Sequence, residues 1–124
     1  MNTTQLTLWV ATAFIGIPGL LYLFAPQKMM QLPAIQLTVP NGTHAIRAAY
    51  GGAFIAFALL FASGASNADL SRTSLIAMTV FMGGFAFGRI VSMIADGLPH
   101  ILFRAVLAGE LLFALIGIAL VTQN

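Results

Sequence analysis

The 124-residue sequence predicts an all-α integral membrane protein, an up-down-up-down four-helix bundle forming a single transmembrane domain over residues 1–124. Three observations carry that expectation. Hydrophobic residues make up 60% of the chain and charged residues 6%, and the mean hydropathy is +0.98. A water-soluble domain this small has too little interior to hide so much apolar surface, so the surplus faces lipid. Four apolar segments, 6–25, 44–62, 73–95 and 101–121, hold 20, 19, 23 and 21 residues. A helix needs about 20 residues, at about 1.5 Å each, to cross the hydrocarbon core. Finally, the apolar segments are separated by turn and helix-breaking residues.

The first segment has no basic residue ahead of it, and Tyr22-Leu23-Phe24-Ala25-Pro26 lacks a small-x-small cleavage pattern, so it reads as a retained helix rather than a signal peptide. Trp9 and Tyr22 fit aromatic anchors near its two ends. Residues 26–43 contain Pro26, Pro33 and Pro40, which forbid one continuous helix; a short interfacial helix beginning at Pro26 and an extended return are expected. The second helix runs into Ser63-Gly64-Ala65-Ser66-Asn67. The third and fourth are joined by Asp96-Gly97-Leu98-Pro99, where Gly97 suits a left-handed C-cap and Asp96 sits near the positive N-terminal end of the fourth helix, giving an antiparallel hairpin.

Small residues recur four apart at Ala48/Gly52/Ala56, Gly84/Gly88/Ser92 and Ala105/Gly109. Close packing within one bundle is the preferred reading of these rows, and self-association through the Gly84/Gly88 face, giving a homo-oligomer or a contact with a protein partner, is the alternative. Arg47 to Gly52 also echoes Arg104 to Gly109, each following a histidine, which is compatible with two repeated helical hairpins.

Five Lys and Arg against three Asp and Glu leave a formal charge of +2. The basic residues are scattered singly, which is no footprint for a nucleic acid. The absence of cysteine removes disulfides, thiolate metal sites and cysteine nucleophiles. His44 and His100 read as head-group-level residues rather than haem or metal ligands, and Met78, Met82 and Met93 as packing material. No nucleophile elbow, metal motif or phosphate loop is present, so neither a cofactor nor a metal is expected.

The polar residues within or beside the helices are His44, Arg47, Tyr50, Arg89, Ser92, Asp96, His100, Arg104 and Glu110, and antiparallel threading places them all in one leaflet. Arg89, Ser92 and Asp96 share a face of the third helix at i, i+3, i+7, and His44, Arg47, Tyr50, Gly51 and Phe54 form a stripe on the second. Glu110 lies roughly 15 Å in, near mid-bilayer. A charge there costs about 2.5 to 3.5 kcal/mol on insertion scales, so it needs a partner. Arg89 is the favoured one and Arg47 the next, because a guanidinium fork matches a carboxylate. Arg104, about 240° around the same helix from Glu110, is a poorer partner and suits snorkelling to the head groups.

The pattern Arg47-x-x-Tyr50-Gly51-Gly52, Gly88-Arg89, Asp96-Gly97-x-Pro99 and Glu110 resembles a family of small bacterial four-helix inner-membrane proteins known only as a domain of unknown function, and more distantly the DoxX-type four-helix proteins. The resemblance implies the fold and a bacterial inner-membrane location, and it assigns no activity.

Three arginines against Asp96 and Glu110 leave excess positive charge in that leaflet, which leads to an expected binding cavity among the second, third and fourth helices. Arg47, Arg89 and Arg104 would form its polar end beside Ser92, Asp96 and Glu110, with Tyr50, Phe54 and Phe85 along its wall. The expected function is non-enzymatic binding of a membrane lipid or other amphipathic anion. A structural or accessory subunit of a larger membrane complex is the alternative, and an enzyme on a lipid-soluble substrate the least supported. Lys28, Arg47, Arg89 and Arg104 all lie toward the end away from the termini, so the positive-inside tendency puts the termini in the periplasm.

Overall fold

A computed structural model describes residues 1–123, which form five helices and, among the described residues, no strand. They are α1 (Thr3–Phe24), the short α2 (Pro26–Met30), α3 (Pro40–Ser66), α4 (Ala68–Asp96) and α5 (Ile101–Gln123). Four of them, α1, α3, α4 and α5, are long and apolar enough to cross a membrane. The short α2 and the extended residues after it are the connection that the three prolines predict.

The helices outrun their apolar segments because polar residues cap them. The Asn2 side chain accepts from the Gln5 amide at 2.8 Å while Gln5 returns an acceptor to the Asn2 amide at 3.0 Å, a reciprocal box that starts α1. Pro26 and Pro40 each occupy the first turn of a helix, where a missing N–H costs nothing. Asn67 is the single extended residue between α3 and α4, and its side chain accepts from the Asp69 amide at 3.0 Å. At the other turn Gly97 has φ +95° and ψ −178° and its amide donates to the Met93 carbonyl. The positive φ requires glycine, but ψ lies far from the left-handed helical value expected for the cap. His100 then opens α5, its Nδ1 accepting from the Leu102 amide at 3.2 Å.

Consecutive long helices pack against each other, α1 on α3, α3 on α4 and α4 on α5. The core sits in the half of the bundle nearer the termini, where Leu8, Ala11 and Ile15 meet Phe61, Ala65, Leu75, Met78 and Phe113. Here the chain has glycines where helices touch: a Cβ on Gly64 would collide with Ser74 and one on Gly117 with Thr79. Gly51 lies against the backbone of Leu23, and Gly109 against the Phe14 ring. The small-residue rows read from four-residue spacing are mostly elsewhere. Ala48, Gly52 and Ala56 are exposed, and a Cβ on Gly84 or Gly88 would meet nothing within 4 Å. Spacing identifies a smooth helix face without saying whether a helix or open space lies opposite.

Within α3, residues Arg47–Gly52 form a π-helical segment. Its i→i+5 bonding inserts an extra residue and rotates the later turns of α3 relative to the first ones, so the stripe from His44 to Phe54 is not continuous. Arg47 is directed at α1, where its Nε donates to the Leu23 carbonyl at 3.0 Å. At the opposite end Arg72 Nη1 donates to the Val121 carbonyl of α5 at 3.0 Å. Both arginines thereby serve carbonyls in the last turn of a neighbouring helix, where the helix itself offers no donor. The echo between Arg47 and Arg104 ends at the sequence: Arg104 lies in regular α-helix and is exposed.

Candidate functional site: a cavity beside the Arg89–Glu110 ion pair

In the half of the bundle away from the termini the helices enclose a cavity of about 1150 Å³. Its long wall is α4, from Ala77 to Met93. Tyr22 of α1, Tyr50 and Phe57 of α3, Phe103 and Leu107 of α5 and the connection from Met30 to Ile35 complete it. Exposed Leu32, Ile35 and Val80 belong to this lining, so the space opens to the outside of the bundle. Gly84 and Gly88 line it too, and their missing side chains are part of its volume.

The polar centre is Arg89. Its Nε donates to both carboxylate oxygens of Glu110, at 3.1 Å to Oε1 and 2.9 Å to Oε2. This is the ion pair present among the described residues, and it is asymmetric: the Glu110 side chain is 5% exposed and that of Arg89 32%. From the helix ends on that side, Arg89 is about 10 Å deep in α4 and Glu110 about 14 Å deep in α5 at 1.5 Å per residue. Because both oxygens sit on Nε, the terminal amino groups of Arg89 have no hydrogen-bond partner among the described residues. Tyr22 is near enough to Arg89 and to Tyr50 for electrostatic interaction, with the two phenol rings 5.3 Å apart. Beyond them the rings continue as an apolar wall: Tyr50 against Phe54 at 5.5 Å, Phe54 against Phe85 at 5.6 Å, Phe85 against Phe81 at 5.0 Å and Phe81 against Phe57 at 4.6 Å.

A guanidinium held on one edge by a carboxylate and free on the other, above an aromatic wall, can take a planar or tetrahedral anion or another strong acceptor. No group of three or more His, Asp or Glu able to hold a metal occurs among the described residues.

The family model described as Domain of unknown function (DUF4345) matches residues 3–121. The chain belongs to this family. Comparison with curated proteins and with solved structures finds no match.

The membership bears out the sequence resemblance to a domain of unknown function, and the arrangement of the quoted motif residues in this DUF4345 chain follows from the geometry. Arg89 and Glu110 form the expected ion pair, and Tyr50, Phe85 and Ser92 line the cavity. Phe54 stands behind the lining, packed against Tyr22, Tyr50, Phe81 and Phe85. Ser92 donates to Asp96 Oδ2 at 2.9 Å, so the expected face from Arg89 to Asp96 exists, but Asp96 is exposed and bonded to Ser92 rather than to an arginine. Glu110 stands behind Arg89 and Asp96 beyond Ser92, neither among the lining residues, and two arginines expected at the polar end are not there. Arg47 caps α1 and borders a separate shallow hollow with His44 and Thr43, because the π-helical segment breaks the stripe that would have aligned it with Tyr50. Arg104 is exposed on the far side of α5 from Glu110, as six residues of helical rotation dictate. Conversely, Tyr22, His100, Phe103 and the residues 30–35 line the cavity without having been anticipated. Tyr22 resembles an aromatic-belt anchor by position alone, and nothing in an apolar, proline-bounded connection marks it as a cavity wall.

Proposed function

We propose that this multi-pass membrane protein binds a lipid or another amphipathic anion without transforming it. The observation that carries this reading is the partnerless outer edge of the Arg89 guanidinium, presented inside a cavity rather than at the surface. Arg89 takes the head group end-on through its two terminal amino groups, the Tyr22 and Tyr50 hydroxyls supplement it, and the tail lies against Phe57, Phe81 and Phe85. The opening beside Leu32, Ile35 and Val80 is the entry from the lipid phase. We further propose, on the resemblance to bacterial inner-membrane proteins, that it lies in such a membrane, with its termini periplasmic because Lys28, Arg47, Arg89 and Arg104 all lie toward the end of the bundle opposite the termini. Native mass spectrometry of the wild type and of Arg89→Gln tests the binding: selective loss of anionic lipid in the variant supports it, and equal retention by both sinks it.

One observation favours a second reading, a subunit of a larger complex. Ala48, Gly52 and Ala56 present a smooth exposed row on α3 with no helix of the bundle against it, the kind of face that lets another helix approach closely. A stoichiometric protein partner on purification from native membranes, lost on Gly52→Leu, is the result that supports it.

A further inference from the structure

The charges of Arg89 and Glu110 cancel, and the remaining basic residues lie outside the cavity lining. That balance constrains what an anion must bring with it. A head group that takes the terminal amino groups of Arg89 sets a second negative charge beside the same guanidinium and leaves the site with a net charge of about −1 in surroundings that solvate it poorly. Two anions sharing one cation repel, and the usual outcome is that one of them holds a proton.

Besides Arg89, the titratable groups that line the cavity are Tyr22 from α1, Tyr50 from α3 and His100 at the start of α5, and the connection from Met30 to Ile35 contributes none. None of them is a second fixed cation. His100 is engaged through Nδ1 in capping α5, where the ring accepts a hydrogen bond from the Leu102 amide. Glu110 is built for the change. Both of its oxygens approach Arg89 Nε, so one can keep that hydrogen bond while the other carries a proton, and the Arg89 side chain need not move.

We propose, on the binding reading above, that an anion and a proton enter this cavity together: the ligand's head group occupies the terminal amino groups of Arg89 while Glu110 passes from carboxylate to carboxylic acid. One proton is taken from the aqueous phase on the cavity's side of the membrane for each anion bound and returned when the anion leaves, so the site stays neutral throughout. The ligand class is therefore a lipid-soluble carrier of one negative charge, whose affinity rises as the pH on the cavity's side of the membrane falls.

The test titrates detergent-solubilised protein with phosphatidylglycerol, whose phosphodiester stays ionised, between about pH 5.5 and 8.5. Uptake of one proton per lipid makes wild-type affinity rise up to about tenfold per unit fall in pH. Glu110→Gln, a neutral mimic, is expected to bind at every pH with the wild type's low-pH affinity. His100→Asn, which keeps a capping side chain, is expected to retain the wild-type slope. A flat wild-type profile, or a slope that survives Glu110→Gln and disappears in His100→Asn, overturns the coupling. If Glu110→Gln does not yield folded protein, the wild-type slope and the His100→Asn control decide it alone. Arg89→Gln separates the two ideas: binding lost at every pH upholds the cavity site whatever the slope, whereas unchanged binding ends the site reading itself.

Discussion

Arg47 on α3 donates through Nε to the Leu23 carbonyl in the last turn of α1, so one arginine of the leaflet ties two helices together. The hydrogen bond is exposed, and one bond of this kind contributes about 1 kcal/mol net. Arg47→Gln is expected to lower the thermal midpoint in detergent by a few degrees, about 2 to 4 °C for this much free energy in a modest-sized chain. Retention of anionic lipid is expected to be unchanged. Loss of lipid at unchanged stability would return Arg47 to the binding site.

Glu110 is the more demanding partner of its pair, being 5% exposed where Arg89 is 32% exposed toward the cavity. Removing one member of a buried pair costs about 3 to 5 kcal/mol, and the low end applies because the stranded guanidinium is the more exposed member of the pair. Glu110→Ala is therefore expected to destabilise by about 3 kcal/mol. Glu110→Gln leaves a carbonyl oxygen to accept from Nε and is expected to be milder. Denaturation of both variants under identical detergent conditions measures the difference, and equal losses would show that the charge, not the acceptor, holds the pair.

Much of this was legible from residues alone, for identifiable reasons. Helix number follows from apolar length, and the Arg89–Glu110 pair follows from two charges at one depth that the bilayer forces together. The fate of Arg47 was not legible, because nothing in Arg47-Ala48-Ala49-Tyr50-Gly51-Gly52 announces a π-helical turn, and one extra residue is enough to point a side chain at a different neighbour. Gly84 and Gly88 face open space instead of the close packing that spacing favours for a related reason: the absence of a side chain is recorded in the sequence, whereas the occupant of the space is a property of the whole bundle. Tyr22 joins the site because α1 packs on α3 there, setting its ring against Tyr50 and Phe54.

Gly64 and Gly117 should be far less tolerant than Gly84 and Gly88. A Cβ at either of the first two meets Ser74 or Thr79, and both partners lie on helix surfaces that cannot retreat without separating α4 from its neighbours. Gly64→Ala and Gly117→Ala are expected to cost about 1 to 3 kcal/mol, the usual range for overpacking. Gly84→Ala and Gly88→Ala are expected to be neutral or stabilising by up to about 1 kcal/mol, since alanine favours the helix and meets no atom. Thermal stability of the four variants, compared side by side, decides the assignment of packed and open glycines.

The fold places both described ends of the chain at one end of the bundle and the cavity at the other, so the orientation in the membrane determines which compartment supplies the proton. Lys28, Arg47, Arg89 and Arg104 lie toward the cavity end, against Arg72 beside Asp69 at the other. With the positive-rich end cytoplasmic, a C-terminal reporter that works only in the periplasm is expected to be active. Activity confined to a cytoplasmic reporter reverses the orientation and moves the source of the proton to the other side.

Filling the cavity separates binding from folding. Gly84 lines the long wall on α4 with open space in front of it, and the aromatic surface formed by Phe81 and Phe85 lies on the same helix. Gly84→Leu therefore sends a branched side chain into volume the tail is proposed to occupy, without touching Arg89 or Glu110. Because no atom lies within 4 Å of the new Cβ, the bundle has no clash to relieve there, and stability is expected to change little. The head-group contacts survive, so the loss is confined to the tail. Displacing a few buried methylenes costs about 0.8 kcal/mol each, so affinity for a long-chain anion is expected to fall by about tenfold to a hundredfold. A short-chain analogue with the same head group, whose tail ends before Gly84, is expected to bind the variant and the wild type alike. Equal weakening for both chain lengths would place the tail elsewhere and remove the aromatic wall from the binding site.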